Sequence, residues 1–206
     1  MVEKISEFTV RRLSNYYRIL CELERKAVET VSSATLAKIG GFTPAQVRKD
    51  LSYFGSFGTR GLGYDVGGLK REIVSILGLN RDWTMALFGA GSLGHALFFF
   101  PGFREDGFFF THIFDTDPEK TGTMWETVEI RPFDEAREQL AKAPVDIGVI
   151  ATPQEAAQEV ADILSESGIR GILNFAPKKL RIPDNVMPRN VNLAVALESL
   201  SFFLSR

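Results

Sequence analysis

The 206-residue sequence predicts an α/β protein in two units, a helical N-terminal one and a C-terminal one wound around a parallel sheet. Three observations carry this. Apolar residues recur at helical spacing up to about residue 80, then give way to short apolar strands alternating with helical runs. A glycine-rich turn of the form G-x-G-x-x-G directly follows one of those strands and opens a helix. The charge also divides: residues 1–83 hold 13 Lys+Arg against 9 Asp+Glu, and residues 84–206 hold 11 against 17.

Hydrophobic residues make up 45% of the chain and charged residues 24%, which excludes disorder and fibrous repeats. One cysteine, Cys21, excludes an internal disulfide framework and a thiolate metal cage, and suits a reducing cytosol. The N-terminal MVEKISEF lacks the apolar region of a secretion signal, so the expected location is cytoplasmic. Thr84 to Phe103 runs twenty residues without a charge, long enough to cross a bilayer. Gly89, Gly91, Gly94, Gly102 and Pro101 break it into strand, turn and helix instead, so no membrane is expected. Seventeen Phe must be absorbed by an interior or an interface.

The N-terminal unit, residues 1–80, opens with a helix from Thr9, with Val10, Leu13, Tyr17, Leu20 and Leu23 as its apolar face. Ser32 or Ser33 caps a second helix, carrying Leu36 and Ile39 and ending at Gly40-Gly41. Thr43 caps a third, with Pro44 at its favoured first position, running to Phe54. Val47, Leu51 and Phe54 form its buried stripe, leaving Gln46, Arg48, Lys49, Ser52 and Tyr53 off it. Helix, short glycine turn and a helix showing Gln, Arg, Lys and Ser describe a helix-turn-helix. Gln pairs with adenine, and Arg or Lys with guanine, in the major groove. The same helices also suit an ordinary three-helix core with a solvated basic face. The next segment favours the first. Gly55 to Tyr64 sets four glycines around Arg60, a slim hairpin with a cation near its tip. Such a tip fits the narrow, electronegative minor groove of A·T-rich DNA. Helix-turn-helix plus hairpin is a winged helix. A further helix, Lys70 to Leu77, leads to an exit at Gly78-Leu79-Asn80.

The second unit, residues 81–191, begins with the strand Met85–Phe88 and the turn Gly89-Ala90-Gly91-Ser92-Leu93-Gly94. Its glycines let backbone approach a pyrophosphate, and the helix that follows offers its N-terminus to negative charge. A second strand, Phe108 to Phe114, ends at Asp115, placed to take ribose hydroxyls and repel a 2′-phosphate, so NAD(H) is favoured over NADP(H). Val145 to Ala151 ends at Thr152-Pro153, a helix spans Gln154 to Ser167, and Gly171 to Pro177 carries Asn174. Thr152, Pro153 and Asn174 thus sit at strand carboxyl ends, where open α/β sheets bind ligands. This is a Rossmann-like, doubly wound sheet. No catalytic set and no metal-ligand spacing appears, and too little chain follows Pro177 for a substrate domain, so cofactor binding without catalysis is expected. The apolar run Leu193 to Leu204, within residues 192–206, must be covered, and an intersubunit role is expected.

Two other classes also fit these features. One is a small NAD-dependent oxidoreductase with a helical N-terminal extension. The other is a nucleotide- or CoA-binding regulatory protein.

The run Gln46 to Gly55, continued by Phe57-Gly58, Arg60-Gly61 and Gly63-Tyr64, resembles the signature of the Rex family of bacterial redox-sensing repressors. Gly89 to Gly94, Phe114 to Lys120 and Gly171 to Pro177 resemble further segments of it, in the same order. The resemblance implies a homodimer whose winged helices bind palindromic operator DNA when NADH is low. NADH closes the dimer and releases the DNA, NAD⁺ competes without doing so, and the C-terminal helix is exchanged between subunits. By position it implies DNA contacts from Arg48, Lys49 and Arg60, pyrophosphate contacts from Gly89, Gly91 and Gly94, and a ribose contact from Asp115. Arg18 matches the first-helix arginine of the family's sensing network. Two positions depart from the pattern: Phe100 replaces Tyr before Pro101-Gly102, and Asn192 replaces Asp at the start of the last helix. Both belong to the network that separates NADH from NAD⁺.

Overall fold

Helix α1 (Glu7–Arg25) opens the computed structural model, which describes residues 5–59 and 61–205. The chain divides into two units, Met1–Arg81 and Asp82–Arg206. Ser6 caps α1 by accepting the Thr9 N–H, and the helix buries Thr9, Leu13, Tyr16, Ile19 and Leu20. Its inner face is rotated from the expected one: Val10 is 40% exposed, and Tyr16 and Ile19 take the inner positions. Strand β1 (Thr30–Val31) leads into α2 (Ser33–Gly40), where Ser32 is the cap and Gly41, at φ 71°, ends the helix. Ile39 is 50% exposed, and Leu36 with Ala37 faces inward instead. In α3 (Pro44–Ser52) the Thr43 hydroxyl accepts the Gln46 N–H, and Val47 and Leu51 are buried. The helix stops two residues short of Phe54.

The hairpin that follows is small. Thr59 and Gly63 exchange backbone hydrogen bonds at 3.0 and 3.1 Å, and β2 (Tyr64–Asp65) pairs antiparallel with β1. Gly63 sits at φ 88°, and a Cβ there would lie 2.6 Å from the Val31 carbonyl oxygen, so the hairpin can lie against β1 only with glycine at this position. Arg60 lies outside the described residues. Asp65 caps α4 (Val66–Leu77), which starts four residues earlier than expected. Leu13, Tyr16, Leu20, Leu36, Val47 and Ile73 close this unit's core.

The second unit places β3 (Trp83–Phe88), α5 (Ser92–Phe98), α6 (Pro101–Glu105), β4 (Phe108–Asp115), β5 (Met124–Trp125) and β6 (Val128–Pro132) in turn. A 3₁₀ turn at Phe133–Glu135 enters α7 (Ala136–Lys142), followed by β7 (Ile147–Ile150), α8 (Ala157–Glu166), β8 (Gly171–Asn174), β9 (Met187–Asn190) and α9 (Leu193–Leu204). The strand order is β5-β6-β4-β3-β7-β8-β9, all pairs parallel except β5 with β6. The parallel strands therefore run outward in chain order from β3 through β4 to β6, and outward again from β7 through β8 to β9, which makes the β3/β7 boundary the topological switch point.

Successive residues of β3 supply opposite cores, as strand geometry requires. Ala86 and Phe88 pack with α7 and α8 through Leu140, Val160 and Leu164; Met85 and Leu87 pack with Phe98, Ile113 and Val149. Aromatic contacts absorb much of the phenylalanine load, among them Phe88–Phe114 at 5.0 Å and Phe98–Phe110 at 5.8 Å. The uncharged stretch 84–103 is strand, turn and two short helices, and no described helix is long and apolar enough to cross a membrane. Helix α9 differs from every other element. All of its described residues are exposed, Leu197 by 68% and Phe203 by 72%.

Candidate functional site

At the switch point the three motif glycines are required for three different reasons. Gly89 follows β3 at φ 99°, and a Cβ on it would stand 2.7 Å from the Ala151 carbonyl oxygen. A Cβ on Gly94 would collide with the Gly89 carbonyl, so α5 packs on β3 only without one. A Cβ on Gly91 would meet no protein atom within 4 Å, because Gly91 borders open space in the crevice. Tight turn, close packing and room for a ligand are the three demands of a pyrophosphate loop.

The crevice has a volume of ≈ 510 Å³ and is lined by Gly89, Gly91, Asp115, Lys120, Thr152 and Pro153, among others. Asp115 is fixed by backbone: its Oδ2 accepts the Ala90 N–H at 2.6 Å and its Oδ1 the Asp117 N–H at 2.9 Å. Lys120 Nζ lies 3.8 Å from Asp115 and 3.0 Å from Asp117, and this pairing raises the Lys120 pKa and lowers that of Asp117. The Thr152 hydroxyl oxygen is buried without a hydrogen-bond partner in the protein. Buried polar atoms of this kind ordinarily find one, so the site suits a ligand that brings polar groups to Thr152. Together with the open side of Gly91, this fits a dinucleotide.

Other predicted residues fall around this centre. Ala90 is buried, while Ser92 and Leu93 stand exposed in the first turn of α5. Asn174 does not line the crevice. It is fully buried, its Nδ2 donates to the Lys178 carbonyl and Asn190 Oδ1, and its Oδ1 accepts the Ala176 N–H. Its side chain holds the loop after β8. His95 packs on Phe99 and Trp125, and burial, with Arg131 secondary, lowers the His112 pKa and keeps that ring neutral. Among the described residues no group of His, Cys, Asp or Glu converges as a metal site.

In the first unit Arg48, Lys49 and Ser52 are exposed on α3 and Gln46 is half-buried. Arg48 Nη1 donates to Ser33 Oγ at 3.1 Å, and Ser52 Oγ donates to the Lys49 carbonyl. A cleft of ≈ 400 Å³ separates Ser32, Ser33 and Arg48 from the hairpin residues Phe57, Gly58, Thr59 and Gly61 to Tyr64. Arg18 is exposed on α1. In the second unit Phe100 precedes α6, 53% exposed, with its ring 5.1 Å from Phe103. Asn192 caps α9, its Oδ1 accepting the Ala194 N–H at 3.0 Å.

Sequence reasoning missed Lys120 and the trio Arg12, Tyr16 and Asp50. One signal was available for Asp50: it sits three residues after Val47 and beside Leu51, on the inner side of an otherwise basic helix.

Comparison with known proteins places both units. Residues 4–52 match the family described as the putative DNA-binding protein N-terminus, and residues 80–178 match the CoA binding domain. The redox-sensing transcriptional repressor Rex of Desulfitobacterium hafniense is 51% identical over 97% of this chain and 95% of its own length. That of Carboxydothermus hydrogenoformans is 50% identical over 98% of each chain. Among solved structures, RSP in complex with β-NAD⁺ and operator DNA superposes with a TM-score of 0.94 at 37% identity, covering 98% of this chain and 93% of that one. RSP with β-NADH gives 0.90 at 35% identity, covering 98% and 95%. At these identities over nearly full length, the chain belongs to the Rex family of redox-sensing transcriptional repressors.

Proposed function

We propose that this protein is a cytoplasmic repressor that binds operator DNA through its first unit and is released by NADH bound in its second. It acts as a regulator without an enzymatic step. The observation that carries this reading is the match of both units, in one chain, to a repressor seen with operator DNA and with NAD⁺ or NADH.

In this reading Arg48 and Lys49, with Gln46 and Ser52 beside them, read base edges from α3, and Arg60 enters the minor groove. The Arg48–Ser33 bond already holds one of these cations at the N-terminal end of α2. Gly89, Gly91 and Gly94 shape the loop that receives the pyrophosphate, Ala90, Ser92 and Leu93 supply its backbone, and Thr152 and Pro153 close the far side. Asp115 takes the ribose hydroxyls and disfavours a 2′-phosphate. Asn174, whose polar atoms are all engaged by protein, acts by fixing the loop after β8. The bound nicotinamide supplies the signal, one positive charge present in NAD⁺ and absent in NADH. The exposed apolar α9 supports a homodimer in which this helix is covered by the second subunit, and a two-fold dimer reads a palindrome.

A mobility-shift experiment on an A·T-rich palindromic duplex tests the whole. The protein should shift the duplex, NADH should reverse the shift, and equal NAD⁺ or NADPH should not. A protein that leaves the duplex unshifted and instead turns over a common alcohol or hydroxy acid would return the oxidoreductase reading. Arg60→Ala should weaken binding by about 1–3 kcal/mol, most at A·T-rich flanks, and unchanged affinity at fixed salt would remove the wing contact.

A further inference from the structure

The inner side of α3 carries a charged cluster that base reading by its exposed side does not account for. Asp50 follows Lys49 directly, yet it is 1% exposed. Its Oδ2 accepts from Arg12 Nε at 2.6 Å and from the Tyr16 hydroxyl at 2.9 Å, and its Oδ1 accepts from Arg12 Nη2 at 2.7 Å. Arg12 Nη2 also donates to Thr9 Oγ1, which shares a hydrogen bond with Ser6, the cap of α1. Burial, followed by the bond to Asp50, pushes the Tyr16 pKa up, so its hydroxyl remains a donor across the working pH range.

Stability alone gives little reason for this arrangement. A buried ion pair loses solvation that its attraction does little more than offset, and packed apolar side chains in its place are often as stable or more so. An apolar contact, however, lacks direction. A guanidinium meeting a carboxylate through two parallel bonds fixes both separation and angle. Helix α3 is nine residues long, and its fully buried apolar anchors, Val47 and Leu51, lie four apart along a single line. Two anchors on one line leave the helix free to roll about them. Asp50 stands off that line and is held from two positions on α1, Arg12 and Tyr16, one turn apart.

We propose that Asp50, clamped by Arg12 and Tyr16, is a positioning residue that sets the roll of α3 about its axis and so the aim of Arg48 and Lys49 at base edges. The proposal rests on the repressor reading above. It predicts a particular pattern of loss: base readout depends on aim, whereas phosphate contacts depend mainly on charge.

The test uses full-length protein, a duplex that the wild-type protein enriches from a randomised library, and a random-sequence duplex of equal length. Affinities are measured over a range of salt for Tyr16→Phe, Arg12→Lys and Asp50→Asn, with folding followed by thermal melting and NADH binding by fluorescence. Asp50→Asn should weaken binding to the enriched duplex by about 5- to 150-fold. Binding to random DNA should be no lower, the salt slope the same, and NADH affinity unchanged. Tyr16→Phe, which keeps the ion pair, should show the same pattern with a smaller loss, and it carries the test if Asp50→Asn does not fold. Arg12→Lys, a single contact in place of the fork, should fall between. Enriched and random duplexes losing affinity together, or neither losing any, would overturn the clamp while leaving the repressor reading intact. Wild-type protein with no preference for any enriched duplex would overturn that reading, and the clamp with it.

Discussion

The first unit carries its proposed DNA-reading groups on an exposed helix side, with Val47, Asp50 and Leu51 buried behind them and a core closed by its own residues. The second holds its proposed nucleotide-binding groups in a crevice between the ends of β3 and β7 and also carries α9, whose leucines and phenylalanines are exposed. The contrast teaches where a change will be felt. In the first unit a substitution at an exposed α3 residue is expected to alter recognition and spare the fold. In the second, Gly94 serves the fold, Gly91 is proposed to serve only the ligand, and the exposed α9 is proposed to be covered by a second chain.

The largest expected effect breaks that last point. Leu197→Glu with Phe203→Glu places two charges where the proposed dimer needs apolar area. Burying one such side chain contributes about 1.5–3 kcal/mol, so the pair should cost about 3–6 kcal/mol for each subunit of the dimer. Sedimentation should find a monomer, each unit still folded, and operator affinity should fall because the two half-sites are no longer bound together. An unchanged dimer would mean that α9 is covered some other way.

The two glycines divide fold from ligand within one loop. Gly94→Ala forces a collision with the Gly89 carbonyl and should cost about 1–3 kcal/mol of stability in thermal melts. Gly91→Ala adds a methyl where no protein atom stands, so stability should hold within about 0.5 kcal/mol. NADH affinity should nevertheless fall at least about tenfold, because the methyl enters space the pyrophosphate needs. The Gly91→Ala protein should bind operator normally and resist release by NADH. Normal NADH affinity would show that the nucleotide does not approach this loop.

Charge at the crevice gives the next effect. Asp115→Asn keeps an acceptor for one of the two backbone N–H groups and removes the negative charge. Like charges about 4 Å apart repel by up to about 4 kcal/mol at a partly solvated site. With that repulsion gone, Lys120 is left facing any 2′-phosphate, and the preference for NADH over NADPH should narrow at least about tenfold. Competition titrations measure it directly, and a ratio that stays put would free Asp115 of its selective role.

What the sequence made legible follows the range over which each signal acts. Caps, helix periodicity and the glycine loop are local, so Ser32, Thr43, Pro44 and Gly89 to Gly94 could be read from their neighbours. The Arg12–Asp50 pair joins residues 38 positions apart, so the spacing from Val47 marks Asp50 as inward-facing while nothing local names its partner. Val10 and Ile39 were misplaced inward because a three-four spacing leaves a helix's inner side uncertain by about a third of a turn. Strand β9, reading Met-Pro-Arg-Asn, lacks the apolar alternation of a half-buried strand because it pairs on one side only, and only the sheet order explains it. Asn174 looked like a ligand because strand ends bind ligands, yet its partners, Lys178 and Asn190, come from the chain that follows.

The smallest expected effect concerns the signal itself. A sensor of NADH against NAD⁺ must read one charge on the nicotinamide through oriented polar groups, and the family pattern supplies a tyrosine hydroxyl and an aspartate for it. Phe100 has no hydroxyl and Asn192 no charge, so neither a tyrosine–carboxylate bond nor an ion pair with Arg18 can form at these positions. Hydrogen bonds to charged groups contribute about 1.5–3 kcal/mol each, and one such term changes a preference between states by about 10- to 150-fold. We expect this protein to separate the two nucleotides less sharply than relatives that carry both groups, relying more on packing around Phe100 and Phe103. The restoring change is structurally mild. Asn192→Asp keeps the cap of α9, since Asp and Asn serve equally there, and Phe100→Tyr adds a hydroxyl to a ring that is already half-exposed. The double variant should melt within a few degrees of the wild type while the ratio of its NAD⁺ and NADH dissociation constants widens at least about tenfold. If the unmodified protein already prefers NADH by several orders of magnitude and the double change leaves that ratio alone, discrimination resides in other groups.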